Sequence, residues 1–379
     1  MRFAIDAHAI GRRQTGNEVY IRNLLQHFPR LDPDSEFVAY IAEPAARRDL
    51  PAPVGTNRVA SNPWRRLGLD LPVRLSLHQP DLLHVQYTAP LSRKAPIVAT
   101  VHDVSFLDCP QHSHPLRALQ LRTTVRRTVE AAARIITVSE FSRRRILKHY
   151  PLDPSKVVAI PNGVSAAFRP VDRATAVRRL AEKFGIHAPF VLTVGDLRPR
   201  KNHRNLIAAF ENVIRAHPSL PHHLVCVGQE TGGAITRRAA RDRVRFTGYV
   251  SDANLLDFYG ACDLFAFPSL YEGFGLPILE AMACGRSVAC SNTSAMPEVA
   301  GSAAIYFDPH SIPEMSRAIS QVLLDANFRV VLERRGLDRA RAFRWESSAR
   351  RTLDVYYEVA AASRKYAHAD RFLLSAASR

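Results

Sequence analysis

The chain has 379 residues, 46% of them hydrophobic, and a formal net charge of +17 from 52 Lys and Arg against 35 Asp and Glu. That length exceeds the ~250–300 residues at which a single core stops growing, so two domains are expected, with enough apolar side chains to fill both. The five cysteines, Cys109, Cys226, Cys262, Cys284 and Cys290, are odd in number and show no C-x-x-C spacing, so neither a disulfide framework nor a zinc site is indicated; with Asp6 within the first apolar run no signal peptide is expected, and no uncharged apolar run nears the ~20 residues of a membrane span.

Short apolar runs alternate with longer helical patterns, which predicts an α/β protein with parallel sheets. The first set of strands is predicted at Arg2–Asp6, Phe37–Ile41, Leu82–Val85, Ile97–Val101, Ile135–Val138 and Val157–Ile160. Ser139 is a suitable N-cap for the helix that follows Val138. The breakers Pro161-Asn162-Gly163 and Phe168-Arg169-Pro170 then mark a linker. A second set is predicted at Phe190–Val194, His223–Val227, Val244–Phe246, Leu264–Phe267 and Ser287–Ala289, with helices over Asn205–His217 and Ala253–Tyr259. A last helix should run from Phe343 to about Ala361. The expected domains are residues 1–168 and 169–342, followed by a terminal helix and tail over 343–379.

Open α/β sheets bind ligands beyond the carboxyl ends of their strands, and the polar residues at those ends are therefore the site candidates. The richest segment is Tyr271-Glu272-Gly273-Phe274-Gly275-Leu276-Pro277-Ile278-Leu279-Glu280. Pro277 suits the first helical position, while Gly273 and Gly275 allow close approach of a ligand. The amides of Gly275 and Leu276 then form an anion site at the helix N-terminus. Glu280, about one turn on, is placed to accept from a ribose diol, leaving Glu272 for a sugar. Strand Phe190–Val194 runs into Gly195-Asp196-Leu197-Arg198-Pro199-Arg200-Lys201, where Arg200 can clamp a diphosphate and Lys201 can supply a point charge to it. After strand Ile97–Val101 stands His102, able to donate to a sugar hydroxyl or steady a developing charge.

The pair Glu272 and Glu280 resembles the E-x7-E signature of the family-4 retaining glycosyltransferases, and matching segments run in family order from Gly16 through His102, Arg200-Lys201 and Gly248 to the two glutamates. The resemblance implies the GT-B fold: two doubly wound, Rossmann-like domains facing across a cleft, with a C-terminal helix crossing back to the first. It implies that His102, Glu272 and Lys201 are catalytic. Gly16, Arg200, Lys201, Val250, Phe274, Gly275, Leu276 and Glu280 would bind the donor, Gly16 near the diphosphate and the Val250 backbone at the base. The family usually has two adjacent glycines where only Gly16 remains, and some members have an arginine where Asp196 stands, so that the donor phosphates have either fewer positive contacts or Arg198 as the substitute contact. No metal or other cofactor is implied, and no metal-binding or P-loop motif occurs.

The expected function is transfer of a hexose, first mannose, from a nucleotide diphosphate sugar to a glycan or lipid-linked acceptor with retained configuration, in surface-polysaccharide assembly. The motif wording resembles that of bacterial mannosyltransferase-like members. A nucleotide-sugar epimerase and a basic nucleic-acid-binding protein are the alternatives, though no nucleic-acid motif occurs. The basic excess is concentrated in the first half of the chain, which makes an anionic membrane surface an expected partner of a cytoplasmic, peripheral protein. The candidate contacts are Trp64 to Leu67 with Arg74, then Arg117, Arg122, Arg126 and Arg127, then Arg143 to Arg145 with Lys148.

Overall fold

The computed structural model describes residues 1–12, 15–91, 94–112, 114–229 and 243–377. It contains two all-parallel sheets. In the first, β1 (Arg2–Asp6), β2 (Glu36–Ile41), β3 (Gly55–Arg58), β4 (Leu82–Gln86), β5 (Ile97–Thr100), β6 (Arg134–Thr137) and β7 (Val157–Ala159) are ordered β3-β2-β1-β4-β5-β6-β7. In the second, β8 (Phe190–Val194), β9 (His223–Val227), β10 (Val244–Gly248), β11 (Leu264–Phe267), β12 (Val288–Ser291) and β13 (Ile305–Phe307) are ordered β10-β9-β8-β11-β12-β13. Both orders reverse beside the first strand of the sheet, the mark of a doubly wound fold.

The eleven expected strands are present with shifts at their ends. Two strands were not expected, and both lie at sheet edges. β3 reads Gly-Thr-Asn-Arg, with no apolar residue to reveal it, and β13 is only three residues long. Central strands are visible because they are buried on both faces and read as continuous apolar runs; an edge strand is not obliged to.

The contacts divide the chain into one unit formed by Met1–Gly163 together with the segment that begins at Trp345, and a second formed by Val164–Arg344. The borders differ from residues 168 and 342 because Val164 and Arg344 form a parallel bridge, with Val164 N donating to Phe343 O at 3.1 Å. Each unit has its own buried apolar cluster. Val85, Ala99, Val125 and Ile135 belong to the first, and Leu206, Phe210, Leu264 and Ile319 to the second.

Local chemistry sets the helix ends. Ser139 accepts from Ser142 N at 3.0 Å as the expected N-cap, and Asp172 caps the Arg173–Phe184 helix, which closes on Gly185 at φ 61°. Such left-handed C-caps favour glycine. The last helix spans Trp345–Ala377, longer than expected because no proline or glycine follows Ala361 to stop it. Its Tyr356 is fully buried in the first unit, where the hydroxyl bonds His84 Nδ1 of β4, while His84 Nε2 lies 2.7 Å from Thr100 Oγ1 of β5.

Several basic side chains expected to face a lipid surface are committed elsewhere. Arg66 is buried beside Asp6, Arg127 donates to the carbonyls of Ala89 and Pro90, Arg143 donates to that of Val157, and Arg145 pairs with Asp108. Arg65, Arg117, Arg122, Arg126, Arg144 and Lys148 remain on the surface. Among the described residues, no helix is long and apolar enough to cross a membrane.

Candidate active site

In the second unit, the carboxyl ends of β8, β9 and β10 converge on three glycines. Gly195 N donates to Val227 O at 2.8 Å, and Gly228 N donates to Gly248 O at 3.0 Å. Gly228, at φ 155°, lies so close to Gly195 that an added Cβ would stand 2.0 Å from the Gly195 carbonyl oxygen. Only glycine fits there. Sequence reasoning passed over Gly228, although its place after an apolar strand was a usable signal.

This floor supports the basic turn. Pro199–Lys201 forms a single 3-10 turn, and Asn202, at φ 57°, opens the His203–Ala216 helix while its side-chain amide donates to Pro309 O at 2.7 Å. The turn delivers both cations to Glu272: Lys201 Nζ lies 2.7 Å from Oε1 and Arg200 Nη1 3.3 Å from Oε2. Arg200 also donates to the Tyr271 carbonyl, and Lys201 Nζ sits 5.1 Å from the centre of the Phe267 ring. Glu272 is held from behind, its N–H donating to Ser294 Oγ at 3.0 Å. Burial raises the Glu272 carboxyl pKa, but Lys201 and then Arg200 outweigh it and bring it down to about 2. Glu272 is therefore an anion that keeps both cations oriented. The sequence places Arg200 and Lys201 at a diphosphate and Glu272 at a sugar; the fold pairs both cations with the glutamate.

Gly275 adopts φ 110° ahead of the Leu276–Ala283 helix, and Pro277 is the second helical residue, one later than expected. Orphan amides at this terminus present positive charge within one turn. Phe274 packs edge-on against Phe343, with ring centres 5.9 Å apart. Glu280 receives a 2.9 Å hydrogen bond from Tyr259. Its pKa is pushed up to about 7 by burial, helped by Asp252 and opposed by the Tyr259 bond. The two glutamates thus differ in charge state, with a partner, Tyr259, that the sequence did not reveal. Val250 is buried in the loop after β10. Arg198, the expected substitute phosphate contact, lies 3.3 Å from Asp196 and is paired with it.

The remaining candidates belong to the first unit. His102 is buried, and its Nε2 donates to Gln86 Oε1 at 2.8 Å. Burial lowers its pKa to about 4, with Asp103 opposing, so the neutral ring keeps Nδ1 as an acceptor. The carbonyl oxygen of Gln86 takes the ring's single proton in this arrangement. Gly16 lies exposed in the first turn of the Thr15–Leu31 helix, and no neighbouring atom of the protein requires a glycine there. Arg13 and Gln14, ahead of it, lie outside the described residues.

The comparisons with known proteins identify the family. Residues 15–168 match the family model described as "Glycosyltransferase Family 4", and residues 188–325 the model described as "Glycosyl transferases group 1". The chain is 32% identical over 265 residues to O-antigen chain mannosyltransferase B of Escherichia coli, an alignment covering 68% of this chain and 69% of that one. Among solved structures, sucrose-phosphate synthase from Thermosynechococcus elongatus superposes with a TM-score of 0.75 at 20% identity, over 95% of this chain and 99% of that one. Anabaena HepE, solved with UDP and glucose, gives 0.73 at 19% identity over 94% and 100%. Those two likenesses concern the fold. With the family match over both units and two doubly wound parallel sheets, the chain belongs to the family-4 glycosyltransferases and has the GT-B fold.

Proposed function

We propose that this glycosyltransferase moves a hexose, with mannose the first choice, from a nucleotide diphosphate sugar to a hydroxyl of a glycan or lipid-linked acceptor, in surface-polysaccharide assembly. The observation that carries this reading is the convergence of Lys201 and Arg200 on one buried carboxylate, Glu272, beside the N-terminus of the Leu276–Ala283 helix. Cations pre-oriented in this way can receive a diphosphate without reorganising, which makes them effective toward charge that grows on a leaving group. Glu272 would then be released toward the sugar hydroxyls and Glu280 would take the ribose diol. His102 enters the reading through the family resemblance, with Nδ1 as its free acceptor. The names of the relatives favour it too: one is a mannosyltransferase, and another was solved with UDP and glucose.

In this reading the anomeric configuration is retained, the acceptor proton leaves on the departing phosphate oxygen, and no metal takes part. The test is an assay with GDP-mannose and UDP-glucose in the presence of EDTA, with the product anomer read by NMR. Transfer should persist in EDTA with retained configuration, and Lys201→Ala should lower turnover by about 10²–10³, the cost of removing one preorganised stabilising donor. An inverted product, or a strict need for a divalent ion, would reject the mechanism.

A lipid surface as partner is favoured by a separate observation. Trp64, Leu69 and Leu77 are exposed to 76, 56 and 69% in one segment of the first unit, next to Arg65, and tryptophan and leucine flanked by cations suit a membrane interface.

A further inference from the structure

In the second sheet β8, β11 and β12 lie side by side, and the segments that leave their carboxyl ends are laced together by hydrogen bonds. Leu270 N, beyond β11, donates to Arg200 O of the basic turn at 2.9 Å, and the Arg200 side chain returns to the Tyr271 carbonyl. From the other side, the segment beyond β12 takes hold of Glu272 at both of its backbone polar groups. Ser294 Oγ accepts from Glu272 N at 3.0 Å, and Ala295 N donates to Glu272 O at 3.4 Å. The base of that segment is itself fixed, because Asn292 N donates to Phe307 O of β13 at 2.9 Å. The Glu272 carboxylate therefore meets Lys201 and Arg200 where this grip on its backbone puts it.

Ser294 makes its bond from a costly conformation. Its φ is 56°, and among the described residues of the second unit the only other non-glycine in the left-handed region is Asn202. Asparagine is one of the few side chains enriched there; serine is not. Nearby turns use glycine for positive φ, at Gly195, Gly228 and Gly275, and a glycine at 294 would relieve the strain in the same way. It would also remove the oxygen that bonds the Glu272 N–H. Asparagine would relieve the strain too, but its oxygen stands one bond farther from the backbone than Oγ does. The residue present keeps a short acceptor and tolerates a strained backbone, and strain of this kind collects at functional sites.

We propose that Ser294 is a positioning residue of this enzyme: by holding the Glu272 amide it sets the direction in which the carboxylate is presented to the donor sugar, and so acts on the transfer step rather than on nucleotide binding. The proposal rests on the glycosyl-transfer reading for the role of Glu272. The hydrogen bond itself can be tested without any turnover.

Three variants separate the hydroxyl from the backbone. Ser294→Gly relieves the strain and removes the acceptor, Ser294→Ala keeps the strain and removes the acceptor, and Ser294→Thr keeps the acceptor but adds a β-branch that the left-handed region resists. Melting temperature should therefore be higher for the glycine variant than for the alanine variant, and lower for the threonine variant than for the wild type. Turnover should follow the oxygen instead. The glycine and alanine variants should both lose about 10–100-fold in kcat, the usual effect of removing an outer partner that orients a functional group, with KM for the donor nearly unchanged. The threonine variant should recover most of that loss. The thermal shift produced by GDP or UDP should match the wild type in all three, which shows that they fold and keep the nucleotide site. Hydrogen exchange at the Glu272 amide gives the readout that needs no activity: protection should fall in the glycine and alanine variants and return with threonine. Turnover that rises and falls with melting temperature, a glycine variant as active as the wild type, or unchanged protection of Glu272 in that variant would overturn the proposal. A wild type that transfers from no nucleotide sugar would refute the glycosyl-transfer reading and, with it, the role given to Ser294, whatever the exchange result.

Discussion

Glu272 and Glu280 are the same residue type eight positions apart, yet their environments push them to opposite charge states. Two cations hold Glu272 ionised, with a pKa near 2, while Glu280 has only the Tyr259 hydroxyl to set against burial, and stands at about 7. If Glu280 grips the ribose diol by accepting from both hydroxyls, it must be ionised when the donor binds. Below about pH 7 the free protein has to give up that proton first. The dissociation constant for a nucleotide diphosphate sugar should therefore rise toward tenfold per pH unit as pH falls below 7, and level off above it. The intact nucleotide sugar is the ligand to use, since its phosphodiester groups do not titrate in that window. Glu280→Gln should flatten the profile and weaken binding at pH 8 by about 1.5–3 kcal/mol, the worth of a charge-assisted hydrogen bond. Isothermal titration from pH 6 to 8 checks both, and a wild-type profile as flat as the variant's would remove Glu280 from the ribose.

At the scale of the element, the sequence showed what is buried and repeated, and hid what depends on contacts between distant segments. Central strands such as Leu264–Phe267 were plain as apolar runs, and Ser139 was plain as a cap, because each signal is local. The polar chain from His84 to Tyr356 spans 272 residues and left no local trace; nor did the pairing of Lys201 with Glu272, or of Tyr259 with Glu280. Glycine and proline marked the turn at Gly275, whereas nothing in the wording of residues 55–58 marked a strand. Burial holds His84 down to about 3 and His102 to about 4, below the ordinary imidazole range. The unfolded chain then binds more protons than the folded one, so the stability these rings confer is complete above about pH 6.5 and is lost as pH falls toward 4. In the second unit, His203 behaves likewise at about 4, but Glu280, raised to about 7, takes up a proton in the folded state over much of the same window and offsets it. The first unit has two such imidazoles against none of the offset, so its stability falls more steeply than that of the second as pH drops below 6.5. Hydrogen exchange at pH 7.5 and 5.5, corrected for intrinsic rates, should show β4 and β5 losing protection while β8 and β11 hold theirs. Equal losses in the two sheets would refute the buried-histidine account.

For the molecule as a whole, the net charge of +17 says less than where its unpaired part lies. Much of the basic excess in the first unit is spent inside the fold, on carbonyls of neighbouring loops and on Asp6 and Asp108. What stays exposed is mixed with apolar surface. Leu91, exposed to 67%, is tied through its N–H to Leu67 O at 3.1 Å, beside the stretch that carries Trp64, Leu69 and Leu77. The Pro115–Ala131 helix docks on the same loop, where Ala89 N donates to Thr128 Oγ1, and it adds Leu116 and Leu119 with Arg117 and Arg122. Loop and helices thus each carry exposed apolar side chains beside cations in the first unit. Each exposed cation near an anionic bilayer contributes about 1 kcal/mol, and a buried indole or leucine adds an apolar term that salt does not screen. Two variants separate those terms. In sedimentation with anionic and neutral liposomes, the wild type should bind the anionic vesicles and be released only in part by 0.5 M salt. Trp64→Ser with Leu77→Ser should become fully salt-releasable, while Arg117→Ser with Arg122→Ser should lose affinity mainly at low salt. Changing Arg143 and Arg145 should act through folding stability rather than through lipid, since both guanidiniums are bound within the unit. Equal recovery of the wild type in the supernatant with both kinds of vesicle would show that this surface has some other use and would leave the donor site as described.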